Sequence, residues 1–194
     1  MASEFASLGG PLSITQIAFR PDANQAQNTS FGTTINAQIN FSTTSAAPDG
    51  LSTTFANNVG SDDTIVHSGA LALGGSTFGE PVPRSFNTVI SLQSPFLYNA
   101  SAGNLLLDIR ILSGTSIFSW LLDAENSSGD SISRVISSVV SGSTPPSFGT
   151  ADSQGLVTQF TATAVPVPEP GTLLLLGSGL AGLGAWRRKV RRMP

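Results

Sequence analysis

Few residues in this chain are equipped for chemistry. His67 is the single histidine, and there is no cysteine. Serine-type nucleophilic catalysis needs a histidine base beside the serine and an acid to orient it. Ser68 adjoins His67, but neighbours on a strand point to opposite faces. His67 is therefore expected to be an ordinary strand residue, hydrogen-bonded or exposed. Gly129-Asp130-Ser131 places a serine behind an acid, yet no histidine follows it and its surroundings read as a turn. Asp123, Glu125, Asn126 and Asp130 could gather oxygen ligands for calcium in one loop, as could Asp62 and Asp63. Neither run completes a calcium motif, and Asx-capped polar turns account for the same residues. A hydrolase would need acids such as Asp108, Asp123 and Glu125 to converge in one cleft. No catalytic residue, metal or cofactor is expected, with calcium at Asp123, Glu125 and Asp130 as the alternative.

The C-terminus carries a different kind of information. Val167, Pro168, Glu169 and Pro170 precede the uncharged run GTLLLLGSGLAGLGAW, residues 171–186. As a helix, this run is about 24 Å long at about 1.5 Å per residue. The hydrocarbon core of a bilayer is about 30 Å thick. A marginal span is feasible, because Thr172 and Trp186 suit the interfaces and arginine side chains snorkel. Pro168 and Pro170 stop the helix from growing backwards. Gly177, Ala181 and Ala185 form a row of small residues that permits close helix approach, or reflects the glycine common in membrane helices. Arg187, Arg188, Lys189, Arg191 and Arg192 follow at once. Basic residues beside a span stay on the cytoplasmic side, so the body is expected on the far side. Basic residues abutting an apolar run fit membrane topology better than nucleic-acid binding.

This tail resembles the PEP-CTERM sorting signal. That signal combines a Pro-Glu-Pro triplet, a transmembrane helix and a terminal arginine-rich cluster, in that order. All three parts occur here: Pro168-Glu169-Pro170, the apolar run to Trp186, and the basic cluster from Arg187 to Arg192. The resemblance implies recognition by an exosortase, a multi-pass membrane transpeptidase or protease of Gram-negative bacteria. It implies cutting near the triplet and release to the envelope or extracellular matrix, often beside exopolysaccharide.

Composition agrees with export. Charged residues are 11% of the chain, against about 25% in typical soluble domains. Four arginines against eleven acids precede Pro168, leaving the body near −7 while the whole chain is −3. Such a body is a poor ligand for nucleic acid. Without cysteine there is no disulfide framework. Residues 1–12 lack the basic and apolar regions of an export signal, so the natural start is expected upstream. Asn28, Asn40, Asn99 and Asn126 fall in N-x-S/T triplets, which arise by chance in so Ser/Thr-rich a chain.

The elements that must position these residues read as strands. Residues 1–11 look irregular. Residues 12–19 and 34–41 alternate with period two, the second with Ile35, Ala37, Ile39 and Phe41 on one face. Residues 51–57 suit a strand or one helical turn. Residues 64–67 and 68–73 read as two short strands split at Gly69. Residues 74–84 are expected to cross between sheets. Residues 86–92 and 96–98 are strand-like, and 105–112 reads as a central strand. Residues 117–123 and 131–140 are expected to flank a hairpin turn at 126–130. Residues 156–165 close the body, and 164–168 form a proline-stiffened linker. Short strands with turn chemistry between them, and no amphipathic helix, give an all-β class. The expected architecture is a jelly-roll-like β-sandwich of eight to ten strands over residues 12–165, then a sorting tail over 166–194. Residues 86–111 also resemble a segment of PEP-CTERM exported β-sandwich proteins, carried by Pro95-Phe96, Tyr98-Asn99 and the run from Gly103 to Ile109.

Together these readings give an exported, non-enzymatic surface or matrix protein, structural, adhesive or polysaccharide-associated. The alternative is a carbohydrate-binding module, with Tyr98, Trp120 and phenylalanines stacking sugars on a sheet face.

Overall fold

The structure, a computed structural model, describes residues 2–114, 120–137, 146–166 and 180. In chain order the long strands are β1 (Leu12–Phe19), β2 (Ser30–Thr44), β3 (Thr64–Ser76), β4 (Thr88–Tyr98) and β5 (Asn104–Gly114). Shorter ones follow: β6 (Ala124–Asn126), β7 (Arg134–Ile136), β8 (Thr150–Asp152), β9 (Gln154–Leu156) and β10 (Thr158–Ala164). One turn of helix, α1 (Ala2–Phe5), precedes them. The class is all-β.

Period-two patterning explains the two main sheets. β1 is flanked by β10 and β4, and β2 by β3 and β5, all antiparallel. Ile35, Ala37, Ile39 and Phe41 are buried on one face of β2 as their alternation requires. They meet Leu12, Ile14, Ile17 and Phe19 of β1 and Ile90, Phe96 and Tyr98 of β4 in a single core. Phe41 sits between the sheets, with its ring centroid 5.5 Å from Phe96 and 6.3 Å from Phe160. Residues 77–87 carry the chain from one sheet to the other; the crossing expected over 74–84 starts later, because Gly74, Gly75 and Ser76 still pair with β2 as the end of β3. β6 pairs with β9 and β7 with β8, forming two small ribbons.

Several expectations are corrected. Residues 2–8 are not irregular: α1 and a 3-10 turn (Ala6–Leu8) bring Phe5 into the core, edge-on to Tyr98 and Phe160. Four helical residues show no periodicity, so only tertiary docking reveals them. Residues 55–58 take the helical alternative. Gly69 does not split β3: its φ of +113° lies outside the strand region, but glycine tolerates it, and the residue keeps its place opposite Ala37 so that the ladder runs on. The central strand is β2, while β5 pairs only with β2 among the described residues. Its edge place suits Asp108 and Arg110, which pair with each other at 2.6 Å on the partly exposed side. The turn after Asn126 is real, but the strands beside it do not pair with each other, so it closes no hairpin. The strands expected over 117–123 and 131–140 lie partly outside the described residues. Of the first, residues 120–123 make one bridge, Leu122 to Pro21.

Candidate functional site

The calcium alternative can be followed residue by residue. Asp123 pairs with Arg20, whose guanidinium also lies 5.2 Å over the Phe86 ring. Glu125 accepts from the Ser127 hydroxyl and, at 3.1 Å, from the Asn126 amide. Those two bonds, Ser127 first, hold its carboxyl below the ordinary range. Asp130 accepts from the Ile132 amide at 2.8 Å through one oxygen. The three acids thus serve three separate local structures. Asp62 and Asp63 brace β2 instead of a cation. Asp62 accepts from the Thr43 amide at 2.7 Å, and both Asp63 oxygens accept from Asn40 Nδ2 at 3.1 and 3.0 Å. Burial raises the Asp62 pKa, but the bonds from Thr43 outweigh it and the net shift is downward. Among the described residues, no group of three or more His, Cys, Asp or Glu side chains could hold a metal.

His67 departs from its expectation: among the described residues it is neither exposed nor hydrogen-bonded. It sits opposite Ile39 on the core face, is 5% exposed, and both ring nitrogens lack a partner among the described residues. Ser68 lies on the other face, where its backbone exchanges two hydrogen bonds with Gln93. Gly129, Asp130 and Ser131 line an open pocket of about 560 Å³ together with Glu4 and Asn104. There the Ser131 hydroxyl donates to Glu4 at 2.9 Å, so a carboxylate stands where a base histidine would be needed. Tyr98 and Trp120 are both buried, which withdraws them from sugar stacking. Tyr98 donates to the Gly103 carbonyl at 2.8 Å, closing the turn between β4 and β5.

Sequence reading missed one polar cluster, which forms only when distant loops meet. Arg84 is buried, and donates to the Asp22 and Gln25 carbonyls at 3.2 and 2.6 Å. The Gln25 side chain accepts from the Leu121 amide at 2.8 Å. Loops around residues 22–25, 84 and 121 are tied together by these two side chains. Nothing local in the sequence marks Arg84 as buried.

The C-terminal candidates are approached from the body. β10 runs antiparallel to β1 and ends at Ala164 beside Leu12. The next amide, Val165, donates to the Pro11 carbonyl at 2.9 Å. Val167, Pro168, Glu169 and Pro170 lie outside the described residues. So do the basic cluster Arg187, Arg188, Lys189, Arg191 and Arg192 and, apart from Leu180, the apolar run 171–186. Among the described residues, no helix is long and apolar enough to cross a membrane.

Comparison with known proteins settles what this segment is. No curated protein matches the chain, and no solved structure does. Residues 166–189 match the PEP-CTERM protein-sorting motif. Such a motif implies export, membrane passage before processing, and sorting that depends on an exosortase. The chain is thus an all-β body that carries, directly after its last strand, a PEP-CTERM protein-sorting motif.

Proposed function

We propose that this is a non-enzymatic surface or matrix protein, a jelly-roll-like β-sandwich held in the inner membrane by residues 171–186 until an exosortase cuts near Pro168-Glu169-Pro170. The observation that carries the reading is the sorting motif placed immediately behind the final strand. In this reading the proline segment offers the cleavage site, the helix holds it at the membrane surface, and Arg187 to Arg192 fix the orientation. Two sheets sharing one core support the sandwich assignment. One histidine, no cysteine and acids committed to separate local partners support a structural or adhesive role over a hydrolytic one.

Association with exopolysaccharide has its own support. The strands β1, β4 and β10 contain no charged residue. Across them Thr161 Oγ1 donates to Gln16 at 3.1 Å and Gln16 Nε2 to Ser91 at 3.4 Å. Exposed hydroxyl and amide groups of this kind exchange hydrogen bonds readily with neutral sugars. The deciding experiment is the intact mass of the protein from its native host, with and without the exosortase gene. Loss of everything beyond the triplet only when the enzyme is present supports the reading. An uncut chain in both strains leaves a simple anchored protein and removes it.

A further inference from the structure

The link between body and motif is short. Val165 is fixed to Pro11 by its amide, and only Pro166 and Val167 separate it from Pro168. A chain spans at most about 3.6 Å per residue, so Glu169 lies within about 14 Å of Val165 whatever path it takes. The body surface inside that reach is one end of the β10-β1-β4 sheet. Ala164, Leu12 and Tyr98 stand side by side there. Residues 5–12, 95–107 and 157–168, which meet there, contain no charged residue, while Glu4 and Asp49 stand to one side, accepting from the Ser131 hydroxyl and the Gly129 amide. Leu97 and Leu8 are nonetheless 61% and 54% exposed. Leu8 is three residues from Pro11, hence within about 11 Å of it.

We propose that the uncharged part of this end, with Leu8 and Leu97, is the surface on which the membrane-embedded processing enzyme seats the body while it cuts. The inference rests on the sorting reading above. An enzyme holding Glu169 in its active site stands within about 14 Å of this end, because the tether cannot carry the body clear. A seat made there covers apolar side chains, which favours contact. Leu8 and Leu97 carry no charge whose desolvation would oppose contact. The complementary surface is neutral and apolar, formed by the enzyme's rim on the body's side of the membrane.

The test uses the full chain in its host and follows the processed fraction with time by intact mass. Leu97→Glu and Leu8→Glu place a carboxylate in the seat. Val89→Glu is the control: it changes an exposed residue of the same strand at its far end, opposite Ala18. The two leucine variants are expected to slow processing at least about fivefold, the consequence of partly desolvating a carboxylate, while Val89→Glu leaves it unchanged. A Gly/Ser spacer of about eight residues after Pro166 lets the body swing away and restores the rate of Leu97→Glu. Equal rates for leucine variants and control, or no recovery with the spacer, overturn the proposal. Leu97→Lys slows processing as Leu97→Glu does; a faster rate instead means that this end meets anionic lipid. Unchanged thermal unfolding of each variant shows that the body is folded. Glu169→Ala separates the two ideas: normal processing of that variant sinks the sorting reading itself, whereas a block there with unaffected leucine variants sinks the docking seat alone.

Discussion

Tyr98, the only tyrosine, joins three parts of the body, and its removal should be graded. Its ring is fully buried and meets Phe5 edge-on at 5.2 Å and 74°. Its hydroxyl donates to Gly103, a residue at φ +151° whose added Cβ would stand 2.6 Å from the Thr44 carbonyl. Burial pushes the phenol above its ordinary value of 10, partly countered by the Leu105 backbone. Tyr98→Phe keeps the ring and strands the half-buried Gly103 carbonyl, at a cost of about 1–3 kcal/mol. Tyr98→Ala also leaves a cavity, costing about 3–5 kcal/mol for a large aromatic. It further loses the edge contact with Phe5, worth about 0.5–1.5 kcal/mol. For a domain of this size each kcal/mol moves the Tm by about 2–4 °C. Thermal unfolding followed by far-ultraviolet circular dichroism should therefore show a drop of about 2–12 °C for Tyr98→Phe and a larger one, at least about 7 °C, for Tyr98→Ala. A double-mutant cycle with Phe5→Ala should show coupling, since the rings touch. A Tyr98→Phe protein that melts with the wild type would refute the claim that this hydroxyl closes the turn. Additivity in the cycle would refute the docking of α1.

Three further perturbations test the surrounding reasoning. An added Cβ at Gly60 would collide with the Thr43 carbonyl, so Gly60→Ala must move the backbone and strain the bonds at Ser42 and Thr43; a loss of about 2 kcal/mol or more is expected in urea unfolding. Arg84→Lys should cost about 2 kcal/mol, because one ammonium cannot span the Asp22 and Gln25 carbonyls as the guanidinium fork does; an unchanged midpoint would count against the loop clamp. Hydrogen bonding, chiefly from Arg134, lowers the Asp152 carboxyl, and the Asp62 shift is also downward. A depressed folded-state value adds stability above the ordinary value of 3.8 and loses it as the pH falls through the folded value. Melting against pH should therefore fall on the acid side of about 4, and Asp62→Asn with Asp152→Asn should flatten that limb; an identical limb would refute it.

Much of this molecule is legible from the chain alone, and the limit has a physical form. Period-two alternation marks β1 and the core face of β2 because each side chain's face follows from its position on a pleated strand. The sorting motif is legible for another reason: the triplet, the apolar run and the basic cluster are contiguous, and their order needs no fold to be read. Tertiary structure decided what depends on contacts distant in sequence. Phe5 becomes core only because Tyr98 and Phe160 receive it. Leu105 to Leu112 look central by composition, yet β5 lies outside β2, since hydrophobic content does not specify which strand has two neighbours. Asp123 and Glu125 look like a ligand pair until Arg20, distant in sequence, and Ser127 claim them separately. Arg84 is buried by loops about 60 residues away. The sequence by itself determined that the chain carries a protein-sorting motif. Only the fold determined that the strand leading to the signal ends beside Leu12, in line with Tyr98, because that pairing joins residues more than 60 positions apart.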